Sequence, residues 1–175
     1  MDFLPQDISV DIRGKSNSAS IKRHLFYTDL KSVVAIPSLD SDANQISTAI
    51  SMRPAVAASN GNPAVSEGIF ARIDASDMDA DFKCEKLGEG DNHAGYKVHV
   101  KVFLNGQDAV ASNLLSKLRN RPLVLIVTQK TGARRLINDI ILHPSSQVNP
   151  KNGYHLEGEV ILADEPPFFT GPIVF

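Results

Sequence analysis

The run Leu123-Val124-Leu125-Ile126-Val127-Thr128 constrains this chain more than any other stretch. It is apolar almost without interruption and short, so it reads as a strand buried on both faces, central in a sheet. Such a strand needs apolar cover above and below. A helix over Gln107–Leu118 is placed to supply it on one side. Val110, Leu114 and Leu118 fall in one row at i, i+4, i+8, and Ala111 and Leu115 widen the stripe. Asp108 can cap this helix. Lys117 and Arg119 stand in its last turn, where cations meet the carbonyl end of the dipole, and Arg121-Pro122 stops it.

A second pattern occurs twice. Gly95-Tyr96-Lys97-Val98-His99-Val100-Lys101-Val102-Phe103-Leu104 is echoed by Gly153-Tyr154-His155-Leu156-Glu157-Gly158-Glu159-Val160-Ile161-Leu162. Both copies alternate with period 2, which sends one set of side chains to a core face. The polar set is Lys97, His99 and Lys101 in the first copy and His155, Glu157 and Glu159 in the second. A basic face opposite an acidic one suits neighbouring strands, within one sheet or across a subunit boundary. The first copy leads into a helix and the second into a proline-rich tail, so the surrounding elements do not repeat. Two strands converging on one pattern is therefore the expected origin, rather than duplication.

The remaining elements are shorter. Ile8–Arg13, Ser20–Asp29 and Gly68–Ile73 read as strands, and Phe82-Cys84-Lys86 continues an alternation into a long hairpin with the first Gly-Tyr strand. Lys130-Thr131-Gly132 turns the central strand into a partner over Ala133–Leu142, and His143–Asn152 reads as a loop. Residues 32–66 form a long arm rich in Ala, Ser, Asn and Asp and interrupted by Pro37, Pro54 and Pro63. Within it a short helix from Asp40 or Asp42 to Ile50 and a tight turn at Asn60-Gly61 are expected. Arms of this length order against a partner or carry function. The tail at 164–175 holds Phe168, Phe169, Ile173, Val174 and Phe175 among three prolines, so it must dock on its own domain or on a neighbour. The expected fold is mainly β (α+β), an antiparallel β-barrel or sandwich of about 7–9 strands with one flanking helix.

A chain of 175 residues is most economically one domain, residues 1–175, and its net charge of −2 offers no broad basic footprint for duplex nucleic acid. One cysteine, Cys84, excludes an internal disulfide and a cysteine-rich zinc site. The start, Met1 to Asp7, lacks a basic region followed by an apolar run, so no secretory signal is expected, and no stretch has the length of a membrane helix.

Each motif with a chemical reading also has a plainer one. Gly14-Lys15-Ser16 lacks the glycine that a phosphate loop needs five residues earlier, where Ser9 stands, and reads as a turn. Asp77, Asp79 and Asp81 have calcium-loop spacing. Phe82 and Gly88 occupy the places of the required Gly and Glu, so the acidic outer face of an edge strand is the better reading. None of the five histidines pairs at helical spacing. His99 and His155 meet on the polar face only if the two Gly-Tyr strands pair. No Gly-x-Ser-x-Gly elbow occurs. Cys84 fits a small core residue better than a nucleophile. Arg134-Arg135 could touch phosphate, though a solvated or interface-facing pair is the simpler account. No catalytic, cofactor-binding or metal-binding constellation stands out.

From Gly95-Tyr96 onwards, the order of strand, Asn105-Gly106, helix, Pro122–Val127, Lys130–Ile137 and the Gly153-Tyr154 strand resembles small virion proteins of tailed phages and prophages of the Bacteroidetes. It is also similar in layout to tail-tube-like proteins. The resemblance implies a structural subunit of the tail or neck (tube, terminator or connector), made in the host bacterial cytoplasm and residing in the virion. Its partners would be copies of itself, in a ring such as a hexamer, and other virion proteins. DNA would pass through the lumen without being read, and neither membrane nor cofactor is implied. The expected inter-strand or subunit contacts are Lys97, Lys101, Glu157, Glu159, Phe168, Phe169 and Phe175. The alternatives are a monomeric β-barrel or sandwich that binds a small ligand or glycan in a pocket lined from the Gly-Tyr strands, and an enzyme whose site is assembled from distant residues.

Overall fold

The structure is a computed structural model that describes residues 21–41, 43–58, 64–75, 80–88, 94–105, 109–147 and 152–175. The expected strand at Ile8–Arg13, the Gly14 turn, the Asn60-Gly61 turn, Asp77, Asp79 and the Asp108 cap lie outside these residues.

Leu123–Thr128 forms the middle of strand β8 (Pro122–Gln129) and every residue of the run is buried. On one side β8 pairs with β1 (Ile21–Asp29), which pairs in turn with β5 (Ala71–Asp74) at the edge. On the other side it pairs with β9 (Arg134–Ile141), followed by β12 (Phe168–Phe169) and β3 (Gln45–Ile46). These six strands make the larger sheet. A smaller sheet has the order β10 (His143–Gln147), β11 (Gly153–Leu162), β7 (Gly95–Asn105), β6 (Asp81–Leu87). Pairing is antiparallel except between β12 and β3, and the sheets face each other as a sandwich without closing into a barrel among the described residues.

The alternation of β8 assigns each side chain to one of two cores. Leu123, Leu125 and Val127 point inward with Leu25, Tyr27, Ile73 and Ile137, and meet Val98, Val100, Val102, Leu104 and Leu156 of the smaller sheet. The helix α1 (Ala109–Leu118) closes this core with Leu114, Leu115 and Leu118, so it covers one side of β8 as its apolar row implies, sharing the task with the smaller sheet. Asn120 ends it in the left-handed region, φ 61°. Arg121 then donates from Nε to the Lys117 carbonyl (2.7 Å) and from its guanidinium to the buried carboxylate of Asp29 (3.0 Å), which ties the helix end to the end of β1.

Val124 and Ile126 point the opposite way, into a second core with Phe70, Leu136, Ile46, Ile50 and Phe169. This outer face is covered by the arm and the tail. β2 (Val33–Ala35) and β4 (Ser51–Met52) pair as a small ribbon over it, and Ile36 and Ile173 complete the layer. No helix forms between residues 43 and 50. Asp40 instead holds a turn, accepting from the Ser47 hydroxyl (3.0 Å) while its own N–H donates to the Gln45 carbonyl (2.8 Å). The Asp40 carboxylate also accepts from Ser47 N–H (3.4 Å); side-chain-to-backbone bonds of this kind compete with a helix, and Gln45–Ile46 gains sheet bonds from the tail.

The expected loop at His143–Asn152 is also corrected, because its first five residues are the edge strand β10. Asp139 has φ 58°, and the β8–β9 register slips between Leu123 and Leu125, so the chain bends and passes from one sheet to the other at buried Leu142. Pro144 hid the strand from a sequence reading, but an edge strand tolerates a residue without an N–H.

The doubled pattern now has a physical origin. β7 and β11 pair antiparallel over their whole length, Tyr96 opposite Leu162 and Gly153 opposite Asn105, with Val100 and Gly158 at the centre. The tyrosine of each copy thus stands opposite the last leucine of the other, and the leading glycine lies one position beyond it. A Cβ on Gly95 (φ +121°) would stand 2.5 Å from the Leu162 carbonyl oxygen, and one on Gly153 would stand 2.2 Å from that of Leu104. Glycine is required at both ends by the same contact. Gly153→Ala is therefore expected to cost at least about 2 kcal/mol, since backbone must move to admit the methyl group. That corresponds to a melting temperature lower by roughly 4–8 °C in a thermal scan.

Candidate interaction surfaces

The outward side of the smaller sheet carries most of the polar residues singled out from the sequence. Alternation along β6, β7 and β11 turns Asp81, Lys83 and Glu85, then Lys97, His99 and Lys101, then Glu157 and Glu159 to this one face. Lys101 has Asp81 opposite on β6 and Glu157 opposite on β11. The closest contacts run diagonally, Lys97 Nζ to Glu159 Oε2 at 3.1 Å and His99 Nε2 to Glu157 Oε1 at 2.8 Å. The two faces foreseen as complementary are therefore brought together within one sheet.

The His99 hydrogen bond holds the Glu157 carboxyl below its ordinary value of 4.5; partial desolvation opposes this, and the charges of Lys101 and the two imidazoles reinforce it. His155 stands further along the ladder, opposite Phe103, and packs against that ring at a tilt of 47° with centroids 4.8 Å apart. The two histidines thus serve different neighbours. Among the described residues no group of three or more His, Cys, Asp or Glu side chains is arranged to hold a metal ion.

The tail aromatics have separate fates. Phe169 is buried in the outer core, whereas Phe168 is 37% exposed and Phe175 is 68% exposed. Phe175 meets Phe26 edge-on at 5.3 Å. Arg134 and Arg135 hold this segment. Arg134 donates to the Gly171 carbonyl (3.0 Å) and lies over the Phe169 ring, and Arg135 donates to the Pro166 carbonyl (2.6 Å), pairs with Glu165 (2.9 Å) and lies 3.6 Å over the Phe168 ring. The phosphate reading of this pair is displaced by its use on the tail. The only advance signal was two arginines in a chain whose end combines aromatics with proline-broken backbone.

Cys84 packs at the margin of the inner core. Burial pushes its thiol above the ordinary value and Glu165 adds to the effect, while Arg135 opposes it, so the reactive thiolate is disfavoured. Two of the surface grooves formed by described residues have a lining that could take a ligand. One, of about 250 Å³, lies between α1 and β10 and is lined by Ser112, Ser116, Arg119, Ser145, Ser146 and Tyr154. The other, of about 320 Å³, lies at the β3–β12 edge and is largely apolar, lined by Ile36, Leu39, Ile46, Leu136, Leu162 and Pro167 with a polar rim. Its lining comes from several separate segments, which is why no local pattern announced it.

One further surface is built by backbone. Arg53 N–H donates to the Ser32 carbonyl (2.8 Å), the Arg53 carbonyl accepts from Gly68 N–H (2.7 Å), and Val56 and Val65 exchange both backbone bonds at 2.8 Å. The two pairs are in one antiparallel register, so residues 53–58 and 64–68 form a ribbon whose second limb leads towards β5. Ala55 to Ala58, Pro54 and Ala64 are exposed.

No protein-family model, curated protein or solved structure matches this chain.

The Lys97–Glu159 pair is half exposed on both sides, so its coupling in a double-mutant cycle is expected to be a few tenths to about 1 kcal/mol. Lys97→Glu and Glu159→Lys should each lower the melting temperature slightly, and the double reversal should recover most of the loss. Because the Glu157 pKa is depressed on folding, its contribution to stability is in place above about pH 4.5 and is lost as pH falls below that. Thermal scans between about pH 6 and pH 3 should show Glu157→Gln less stable than the parent at the upper end, with the two converging at the lower.

Proposed function

We propose that this chain is a structural subunit that assembles into a ring in the tail or neck of a phage particle, as a tube, terminator or connector component. It carries out no catalysis in this role. The observation that carries the reading is the ribbon through Val56 and Val65, whose limb from Pro54 to Ala58 is apolar and exposed, held in register outside the subunit's own cores. Val56 is 51% exposed and its neighbours Pro54, Ala55, Ala57 and Ala58 are exposed with it. Apolar surface exposed in this way favours association and is an aggregation liability without it. The resemblance of residues 95–175 to tail and neck proteins supplies the setting. A net charge of −2 suits a passage that DNA moves through without being held.

A second reading, a monomeric sandwich that binds a small ligand or glycan, is favoured by the groove beside α1. Tyr154 of the second Gly-Tyr strand lines it, with four serine hydroxyls and Arg119 as hydrogen-bonding groups.

Native mass spectrometry on the full chain at tens of micromolar separates the two. A ring subunit gives one closed oligomer of defined copy number, and negative-stain images show it with a central opening. A monomer overturns the ring reading. A monomer whose melting temperature rises saturably with an oligosaccharide establishes the second.

A further inference from the structure

The groove at the β3–β12 edge is shaped by the chain's own hydrogen bonds. Its most buried lining residues are Ile46 and Leu136, each 3% exposed, with Ile36, Leu162 and Pro167 half-buried beside them. The walls come from the arm, β9 and the segment before β12, and backbone bonds tie these together. Leu136 N–H donates to the Pro167 carbonyl (3.0 Å), Phe168 N–H to that of Asn44 (2.9 Å) and Asp40 N–H to that of Gln45 (2.8 Å). Arg135 fixes the segment before β12 by donating to the Pro166 carbonyl and pairing with Glu165. A preformed concavity of about 320 Å³ with mainly apolar walls falls in the size range of small-molecule sites, and filling it costs little reorganisation.

The rim specifies the polar end of such a ligand. Its polar members are Asn44, Asn138, Asp164 and Glu165, and no lysine, arginine or histidine lines the groove. Two of the four are already committed. Asn44 uses an amide N–H on the Glu165 carbonyl (3.4 Å), which leaves its side-chain oxygen as an acceptor. The Glu165 carboxylate is neutralised by Arg135 (2.9 Å). Asp164 is exposed and has no ion-pair partner among the described residues. Beside its apolar walls the groove therefore offers acceptors and one uncompensated negative charge. The complementary head group is positive and donates hydrogen bonds. A protonated amine is both, with three N–H donors and no acceptor.

We propose that this groove binds a small aliphatic amine, its alkyl body against Ile46, Leu136, Leu162 and Pro167 and its ammonium group at Asp164 and the Asn44 side-chain oxygen. Leu39, which lines the groove and is 50% exposed, gains cover from the alkyl chain. Neither reading of the protein's function uses this groove, so the inference goes beyond both. An alcohol of the same length keeps the apolar contacts and loses the charge. A carboxylate of that length brings like charge to Asp164 and is disfavoured.

The test titrates the full chain with octylammonium, octanol and octanoate by isothermal titration calorimetry at neutral pH and low salt. Octylammonium is expected to saturate one site and to bind about fivefold more tightly than octanol, with octanoate weakest. Two substitutions at exposed side chains locate the site, with circular dichroism as the check that both variants fold like the parent. Asp164→Asn should bring octylammonium down to the affinity of octanol and leave octanol unchanged. Leu39→Ser should weaken both by the same factor. The inference is overturned if octylammonium fails to saturate at millimolar concentration, or if octanol or octanoate binds as tightly. Octylammonium binding that keeps its full preference in Asp164→Asn, or that Leu39→Ser leaves unchanged, places the amine elsewhere and overturns it as well.

Discussion

The double burial of β8 is the constraint on which the rest of the structure depends. Leu123, Leu125 and Val127 must be covered on one side and Val124 and Ile126 on the other, or the sheet exposes an apolar face to water. The inner side is met in the ordinary way, by a second sheet and a helix. For the outer side the chain turns to irregular segments. The arm and tail contribute strands of only two or three residues there, too short to stand alone, and they hold because each supports the other. Phe168 N–H donates to the Asn44 carbonyl and Thr170 N–H to that of Ile46, both at 2.9 Å, while Leu136 N–H reaches the Pro167 carbonyl at 3.0 Å. The arginine pair on β9 secures the tail from the other side. Segments far apart in sequence thus form one cooperative layer.

The paired Gly-Tyr strands solve a separate problem. Two long strands that lie antiparallel, with the start of each against the finish of the other, meet the same steric demand at both ends. The same residue, glycine, answers it twice. The register also dictates the placement of charge. Lys101 of β7 falls between Asp81 of β6 and Glu157 of β11, and Lys97 between Glu85 and the diagonal Glu159, so each of these lysines has acidic side chains on both flanking strands. Such pairs add little to stability individually, but they discourage the alternative registers that would place like charges together.

These two arrangements leave few surfaces open to partners. One face of the larger sheet is consumed by the inner core and the other by the chain's own arm and tail. The smaller sheet presents mixed charge. The most exposed large apolar side chains among the described residues, Val34, Ile161 and Phe175, are scattered over the arm, the smaller sheet and the tail.

Much of this was legible in the residues alone, where the information is local. The unbroken run in β8, the row of leucines in α1, the alternation of the Gly-Tyr strands and the turn at Lys130-Thr131-Gly132 each specify their element by periodicity or turn chemistry. The need for the tail to dock was legible too, from aromatics among prolines. Tertiary structure decided the rest. Asp40 looked like a helix cap and became the centre of a turn, because Gln45–Ile46 could pair with Phe168–Phe169 near the far end of the chain, a gain no local propensity contains. His143–Gln147 looked like a loop and became an edge strand, because the bend at Asp139 delivered it beside β11. Arg134 and Arg135 looked free and were engaged by carbonyls of the tail. The sequence by itself determined which segments must be buried. Only the folded chain decided what buries them, since that depends on contacts between residues whose spacing along the chain carries no pattern.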